Sequence, residues 1–130
     1  MKHTPLIIML AATLLFCSCE AKQKENAREK AVAEKYVAFG YEISGLNVNF
    51  TDSTSGVGGG VTSRMWDFGD GVVTETGDTR QGKYDPSVPL KHTYVTTGSY
   101  NVTLTITWIA DICGKPEDLT KTCTKVITLE

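Results

Sequence analysis

The sequence predicts an all-β fold, an immunoglobulin-like β-sandwich of about seven strands in two antiparallel sheets. From Tyr36 onward, apolar and polar residues alternate with a period of two, which places alternate side chains on opposite faces of a strand. The alternating segments are short, and turn residues separate them at regular spacing, as in β-sandwiches. No long helical pattern appears among them, which argues against an α/β fold.

The strands are expected one after another with few interruptions. The clearest alternation is Leu46, Val48 and Phe50 against polar neighbours. Residues 52–60 contain four glycines but neither the spacing of a phosphate-binding loop nor a following helix pattern, so they are read as a plain loop. Residues 114–118 are expected to turn the chain before the last strand. The expected strands cover residues 36–43, 46–51, 61–68, 72–75, 92–94, 100–112 and 119–129.

One stretch organises the chain, the residues Trp66-Asp67-Phe68-Gly69-Asp70-Gly71. Trp66 and Phe68 share a face of the strand because they are two positions apart. Asp70-Gly71 is expected to form a two-residue hairpin turn, since both residue types tolerate positive φ. Trp66 and Tyr100 stand where an immunoglobulin-like sandwich has its core tryptophan and its tyrosine corner.

The N-terminus is predicted to be an export signal that occupies residues 1–18. A basic start precedes an apolar run, residues 6–16, that is shorter than the ~20 residues of a spanning helix. The run ends in Phe16-Cys17-Ser18-Cys19, which resembles the lipobox of bacterial lipoproteins. That resemblance implies a lipid on Cys19, because Ser18 meets the requirement for a small preceding residue. An ordinary cleaved signal peptide is the alternative.

Residues 19–35 are predicted to be a lipid-anchored, charged tether, and residues 36–130 the sandwich domain. The tether mixes acids and bases with alanines, which favours a partly helical, solvated spacer without a face to bury. The formal net charge is −2, and it becomes −3 when residues 1–18 and their one lysine are removed. A mildly acidic chain without a basic stripe argues against nucleic acid as a partner.

Three motifs follow one another along the chain: residues 66–71, then His92-Thr93-Tyr94, then residues 98–106 with Tyr100. Together they resemble a polycystic kidney disease (PKD) domain, and the likeness extends over residues 32–130. It implies a two-sheet sandwich found outside cells, usually a non-catalytic module. Two features depart from the family: the long segment between Gly71 and His92, and a pair of cysteines in the last hairpin.

Cys113 and Cys123 are predicted to form a disulfide. Nine residues separate them, which suits a bridge between adjacent strands, and an exported protein meets an oxidising compartment. Closing such a loop contributes roughly 2–3 kcal/mol through chain entropy.

Reactive chemistry finds little support in the sequence. His92 has no obvious orienting acid and is expected to pack beside Tyr94, so no enzyme activity is predicted. No metal site or cofactor is predicted; calcium is the one open alternative, without firm ligands, because acidic residues gather near the long 76–90 loop. Those residues are Asp70, Glu75, Asp78 and Asp85.

The sequence therefore predicts a non-catalytic binding module, anchored by lipid in a bacterial outer membrane and facing the periplasm or the cell surface. An envelope protein is the expected partner. The alternative partner is a polysaccharide, for which Tyr84 is the candidate stacking residue. A third interpretation is a passive spacer that only presents the 76–90 loop.

Overall fold

The structure is a computed structural model that describes residues 20–56, 60–76 and 88–130. In this part of the chain, one helix precedes seven strands that form two antiparallel sheets, so the predicted β-sandwich is confirmed. One sheet has the order β1-β2-β5 and the other β4-β3-β6-β7. The elements are α1 (Ala21–Ala33), β1 (Phe39–Ser44), β2 (Asn47–Asp52), β3 (Val61–Asp67), β4 (Val73–Glu75), β5 (Leu90–Thr93), β6 (Gly98–Ile112) and β7 (Lys115–Leu129).

Aromatic side chains from both sheets fill the centre of the sandwich. Phe50 of β2 contacts the Trp66 ring of β3 with ring centroids 5.6 Å apart, and Phe39 lies 5.3 Å from the same ring. All three side chains are at most 1% exposed. Burying each of them contributes roughly 1.5–3 kcal/mol, so this cluster holds the two sheets together.

A buried ion pair also joins the sheets. Arg64 of β3 occupies an inward position opposite Ile106, and its Nε lies 2.8 Å from Oδ2 of Asp52 at the end of β2. The second carboxylate oxygen of Asp52 accepts a hydrogen bond of 2.9 Å from the Thr54 amide. An inward arginine is tolerated here because its charge meets an opposite charge inside the protein.

The last hairpin turns earlier than the sequence predicts. Ile112 pairs with Lys115, so Cys113 and Gly114 form a two-residue turn. Their φ angles are 55° and 76°, and positive φ at both central residues defines a type I′ turn. The expected turn over residues 114–118 is therefore wrong, because residues 115–118 already belong to β7.

The predicted disulfide between Cys113 and Cys123 does not form. Cys123 is a free thiol that pairs in register with Leu104, far along the hairpin from the turn that contains Cys113. Cys123 lies eight positions beyond Lys115 on the extended strand, which is about 26 Å at ~3.3 Å per residue. A disulfide requires Cα atoms within roughly 7 Å. The sequence spacing predicted a bridge because it suited a turn midway between the cysteines, but the turn lies at Cys113 itself.

Helix α1 lies against the β6–β7 hairpin, whereas the sequence predicts a spacer without a buried face. Ala27, Ala31 and Val32 pack against the core as partly buried residues. Their small side chains allow close approach, and ion pairs add to the contact. The Nζ of Lys24 lies 2.5 Å from Glu117 Oε1, and Arg28 binds Glu117 Oε2.

The helix runs along the hairpin from its tip. Its N-terminal half contacts Glu117 near the turn, and after its C-terminus the Lys35 carbonyl accepts a bond of 2.7 Å from Lys121 Nζ. Residues 1–19, including Cys19 and the predicted signal peptide, lie outside the described residues. Within residues 20–56, 60–76 and 88–130, no helix has the length and apolar character needed to cross a membrane.

Candidate functional site

The turn after β3 is built by two aspartates and two glycines. Asp67 Oδ1 accepts a hydrogen bond of 2.9 Å from the Gly69 amide, and Asp70 Oδ1 accepts one of 3.1 Å from the Val72 amide. Each carboxylate thus closes a turn on the backbone two residues further on. The positive φ angles belong to Gly69 (78°) and Gly71 (92°) and not to Asp70, so the predicted two-residue turn is instead a three-residue connection, closed by Phe68 N–H bonding to Val72 O.

Gly69 is required by its surroundings as well as by its φ angle. A Cβ atom at this position would lie 2.5 Å from the Asn101 carbonyl oxygen of β6. The turn therefore rests directly on the backbone of the neighbouring strand, which only glycine permits.

His92 and Tyr94 of the second motif contact this turn from the other sheet. His92 Nε2 lies 2.8 Å from Asp70 Oδ2, and the imidazole stacks on the Phe68 ring at a centroid distance of 4.0 Å and 3° between planes. The buried Tyr94 hydroxyl donates a hydrogen bond of 2.9 Å to the Phe68 carbonyl. No acid partner for His92 was evident from the sequence, and in the folded domain that partner is Asp70.

Tyr100 completes the cluster from β6. Its ring centroid lies 4.2 Å from that of Tyr94, and its hydroxyl donates a hydrogen bond of 2.7 Å to the carbonyl of Thr96, four residues upstream. This is the backbone contact that a tyrosine corner makes. The turn, His92, Tyr94 and Tyr100 are therefore brought together at one end of the sandwich, and Trp66 adjoins them through the Phe68 ring.

The electrostatics of the cluster follow from burial and hydrogen bonding. Desolvation alone would raise the pKa of Asp70, but the hydrogen bonds from His92 and from the Val72 amide outweigh it, so the pKa lies below its ordinary value. Burial, and then the negative charge of Asp70, raise the pKa of the Tyr94 phenol. Tyr94 consequently stays protonated and acts as a hydrogen-bond donor.

This cluster is organised for structure. The contacts of Asp70, His92 and Tyr94 given above are with one another, with the turn backbone or with aromatic rings. Among the described residues, no Ser, Thr or Cys side chain hydrogen bonds to His92, as nucleophilic catalysis by that imidazole would need. The hydrogen bonds and ring contacts of the cluster hold the β3–β4 turn against β5 and β6.

Several predicted site residues stand apart from it. Tyr84, Asp78 and Asp85 lie outside the described residues, as does most of the 76–90 loop. Glu75 is on the outer face of β4, where its carboxylate accepts a bond of 2.7 Å from Ser63 Oγ, and Asp70 is engaged by His92. Within the ranges that the structure describes, no group of three or more His, Cys, Asp or Glu side chains could hold a metal ion.

A groove of about 670 Å³ lies between α1 and β7, and it was not expected from the sequence. Its floor is apolar and its rim carries carboxylates. Only the alanine spacing of the helix hinted that one side of α1 is covered. The lining residues are Glu25, Arg28, Glu29, Val32, Ala33, Asp118, Leu119 and Thr120.

Comparison with known proteins agrees with this architecture. The chain is 26% identical to the PKD1 domain of the Vibrio cholerae metalloprotease PrtV, with a TM-score of 0.52 over 72% of this chain and 94% of that one. The PKD1 domain of Vibrio anguillarum Epp is 23% identical, with a TM-score of 0.48 over 74% and 95% of the two chains. No curated protein matches significantly. The model of the PKD domain matches residues 40–126, and the chain therefore belongs to the PKD domain family.

Proposed function

We propose that this chain is a lipid-anchored, non-catalytic binding module of a bacterial outer membrane, where it mediates a protein–protein interaction or envelope assembly on the periplasmic or surface side. Domains of its family are extracellular, non-catalytic modules, which supports the class of function. The observation that carries the proposal furthest is the docking of α1 on the hairpin.

That docking supports one orientation of the anchored domain relative to a membrane. Lys24 and Arg28 bind Glu117 close to the hairpin tip, so the chain enters the domain at the tip. The Gly69 turn lies beside Asn101, eleven residues along β6 from Ile112. At ~3.3 Å per residue this is about 36 Å. A lipid on the residue before Glu20 would place the tip at the membrane and the motif cluster away from it.

The anchor is tested by two cysteine variants of the full chain. Cys19→Ser is expected to abolish labelling by a radioactive or clickable fatty acid and to shift the protein from the membrane fraction to the soluble fraction. Cys17→Ser is the matched control, and it should leave both readouts unchanged. Lipid labelling that survives Cys19→Ser would refute the anchor assignment.

The partner is tested by crosslinking in intact cells, followed by mass spectrometry. One envelope protein recovered in near-equal amount is expected, and it would identify the assembly. Retention on cell-wall or host polysaccharide without a protein partner would overturn the protein–protein assignment in favour of glycan binding.

A further inference from the structure

The long last strand, β7, lies at the end of the strand order in its sheet. Of the strands that the structure describes, β6 alone is its neighbour in the sheet, and the two pair from Lys115 to Leu129. Among the described residues, no main-chain hydrogen bond joins β7 to anything other than β6. An open strand edge carries a row of main-chain donors and acceptors that another extended chain can use.

The register shows which residues present those groups. Ile112 and Lys115 flank the two-residue turn and form its closing hydrogen-bonded pair, and such pairs alternate along an antiparallel ladder. Odd-numbered residues of β7 therefore bond to β6, whereas Asp118 and Thr120 direct N–H and C=O outward. Pro116 agrees with this assignment, because a proline in a sheet belongs where its missing N–H would face away from the ladder.

Only a short part of this edge is open. Further along β7, two lysines on the same strand face as Leu119 bind carbonyls of the chain that follows α1. Lys121 Nζ binds Lys35 O at 2.7 Å, and Lys125 Nζ binds Phe39 O at 2.5 Å. That segment runs beside the second half of the strand. Pro116 interrupts the edge on the other side, which leaves about three to five residues centred on Leu119.

The open part of the edge is the wall of the groove described above. Asp118, Leu119 and Thr120 form one side, and α1 forms the other with Glu25 and Glu29, one turn apart. Val32, Ala33 and Leu119 supply apolar surface between them. Arg28 already binds Glu117, whereas no described residue forms an ion pair with Glu25, Glu29 or Asp118. The groove therefore combines an unpaired strand edge with unneutralised negative charge.

We propose that this groove binds an extended polypeptide segment with basic side chains. The segment adds as a short antiparallel or parallel strand to the main-chain groups of Asp118 and Thr120, a recognised mode of peptide binding. Its basic side chain lies against Glu25 and Glu29, and an apolar one contacts Leu119. This inference deepens the proposed function by naming the site and the chemistry of the protein partner.

The test uses the full chain purified in detergent and a fluorescent probe peptide of sequence Thr-Val-Lys-Val-Lys-Val-Thr, with Glu in place of Lys as the matched peptide. Fluorescence anisotropy is expected to detect saturable binding of the lysine peptide, and at least tenfold weaker binding of the glutamate peptide. Higher salt should weaken the former. Equal binding of both peptides, or of neither, would overturn the proposal.

Three variants locate the site. Thr120→Pro removes an outward N–H and is expected to weaken binding at least tenfold, whereas Thr128→Pro makes the same change on the same edge outside the groove and should not. The Glu25→Gln/Glu29→Gln double variant should weaken binding about fivefold or more, against no change for Glu42→Gln on β1. Equal losses in groove and control variants would place the peptide elsewhere and refute the site.

Two further measurements address a variant that fails to fold and a second copy of the chain as the occupant. If Thr120→Pro does not fold, hydrogen exchange of the unmodified chain replaces it, and the peptide should protect the Asp118 and Thr120 amides. Analytical ultracentrifugation tests the other occupant, since a dimer that Thr120→Pro dissociates would show that a second copy fills the groove. Failure of peptide binding while crosslinking still finds an envelope partner would reject this site and leave the proposed function standing.

Discussion

The Nε2 atom of His92 lies 2.8 Å from the Oδ2 atom of Asp70. Asp70 belongs to the β3–β4 turn of one sheet and His92 to β5 of the other. A second link beside it is the hydrogen bond from the Tyr94 hydroxyl to the Phe68 carbonyl. The family motif therefore connects the two sheets at one end of the sandwich, while the Asp52–Arg64 ion pair connects them at mid-height.

This pairing predicts how stability depends on acid. The folded-state pKa of Asp70 is lowered from 3.8, so its carboxylate stabilises the fold above the unfolded-state pKa, and the contribution disappears as pH falls through the folded value. Asp70→Asn is therefore expected to lower the urea midpoint at pH 7. The difference from the unmodified protein should shrink below about pH 4. Urea titrations at several pH values measure it.

Asp67→Asn is the control for that experiment. Asp67 also accepts a hydrogen bond from the turn backbone but has no histidine partner among the described contacts. Comparing the two variants separates the loss of a turn hydrogen bond from the loss of the contact with His92. A pH-independent difference for Asp70→Asn would show that the carboxylate charge does not contribute.

Two glycines of the same turn provide a matched comparison of steric clash with backbone strain. Both have positive φ. A Cβ atom added at Gly69 would lie 2.5 Å from the Asn101 carbonyl oxygen, whereas one added at Gly71 would have no atom within 4 Å. Gly71→Ala should destabilise the domain by roughly 1–2 kcal/mol through strain alone. Gly69→Ala should cost roughly 3 kcal/mol or more, because the turn must also move away from β6. Equal losses in urea unfolding would contradict the close approach.

Strand periodicity was a reliable guide to the fold because alternate residues of a half-buried strand experience opposite environments. Val48 and Phe50, and then Val102 through Trp108 at every second position, are buried as their alternation requires. The order of the motif residues also indicated that Trp66, His92 and Tyr94 belong to one architecture. Their contacts could not be read from the pattern, since His92 meets Asp70 only after the chain crosses between the sheets.

Features that depend on how distant parts of the chain align in the folded domain could not be predicted from the sequence. The disulfide prediction failed because one turn at Cys113-Gly114, and not at residues 114–118, shifts Cys123 opposite Leu104. The inward position of Arg64 depends on Asp52, which comes from a strand of the other sheet. The groove arises because α1 covers the hairpin beyond the reach of β1, β2 and β5, and a nearly uniform charged helix carries little signal of such docking.

The hydroxyls of Tyr94 and Tyr100 donate to carbonyls in different surroundings, one buried and one exposed. Removing each hydroxyl should therefore lower the free energy of unfolding by a different amount. Tyr94→Phe leaves the Phe68 carbonyl without its buried hydroxyl donor and should cost roughly 1–3 kcal/mol. Tyr100→Phe removes a bond to the Thr96 carbonyl, which solvent can replace, and should cost about 0.5–1 kcal/mol. Thermal and urea unfolding of the two variants measure the difference. A larger loss for Tyr100→Phe would reverse the assigned importance of the two tyrosines.

The free thiol of Cys123 gives the most direct check of the hairpin register. Alkylation of the unfolded, unreduced protein, followed by peptide mapping, should find the label on Cys123. Cys123→Ala should destabilise the domain by no more than about 2 kcal/mol, since it removes only a half-buried sulfur. Loss of a native disulfide would typically cost 2–5 kcal/mol. An unlabelled Cys123 that becomes reactive only after reduction would show a bridged cysteine and require a different path for β7.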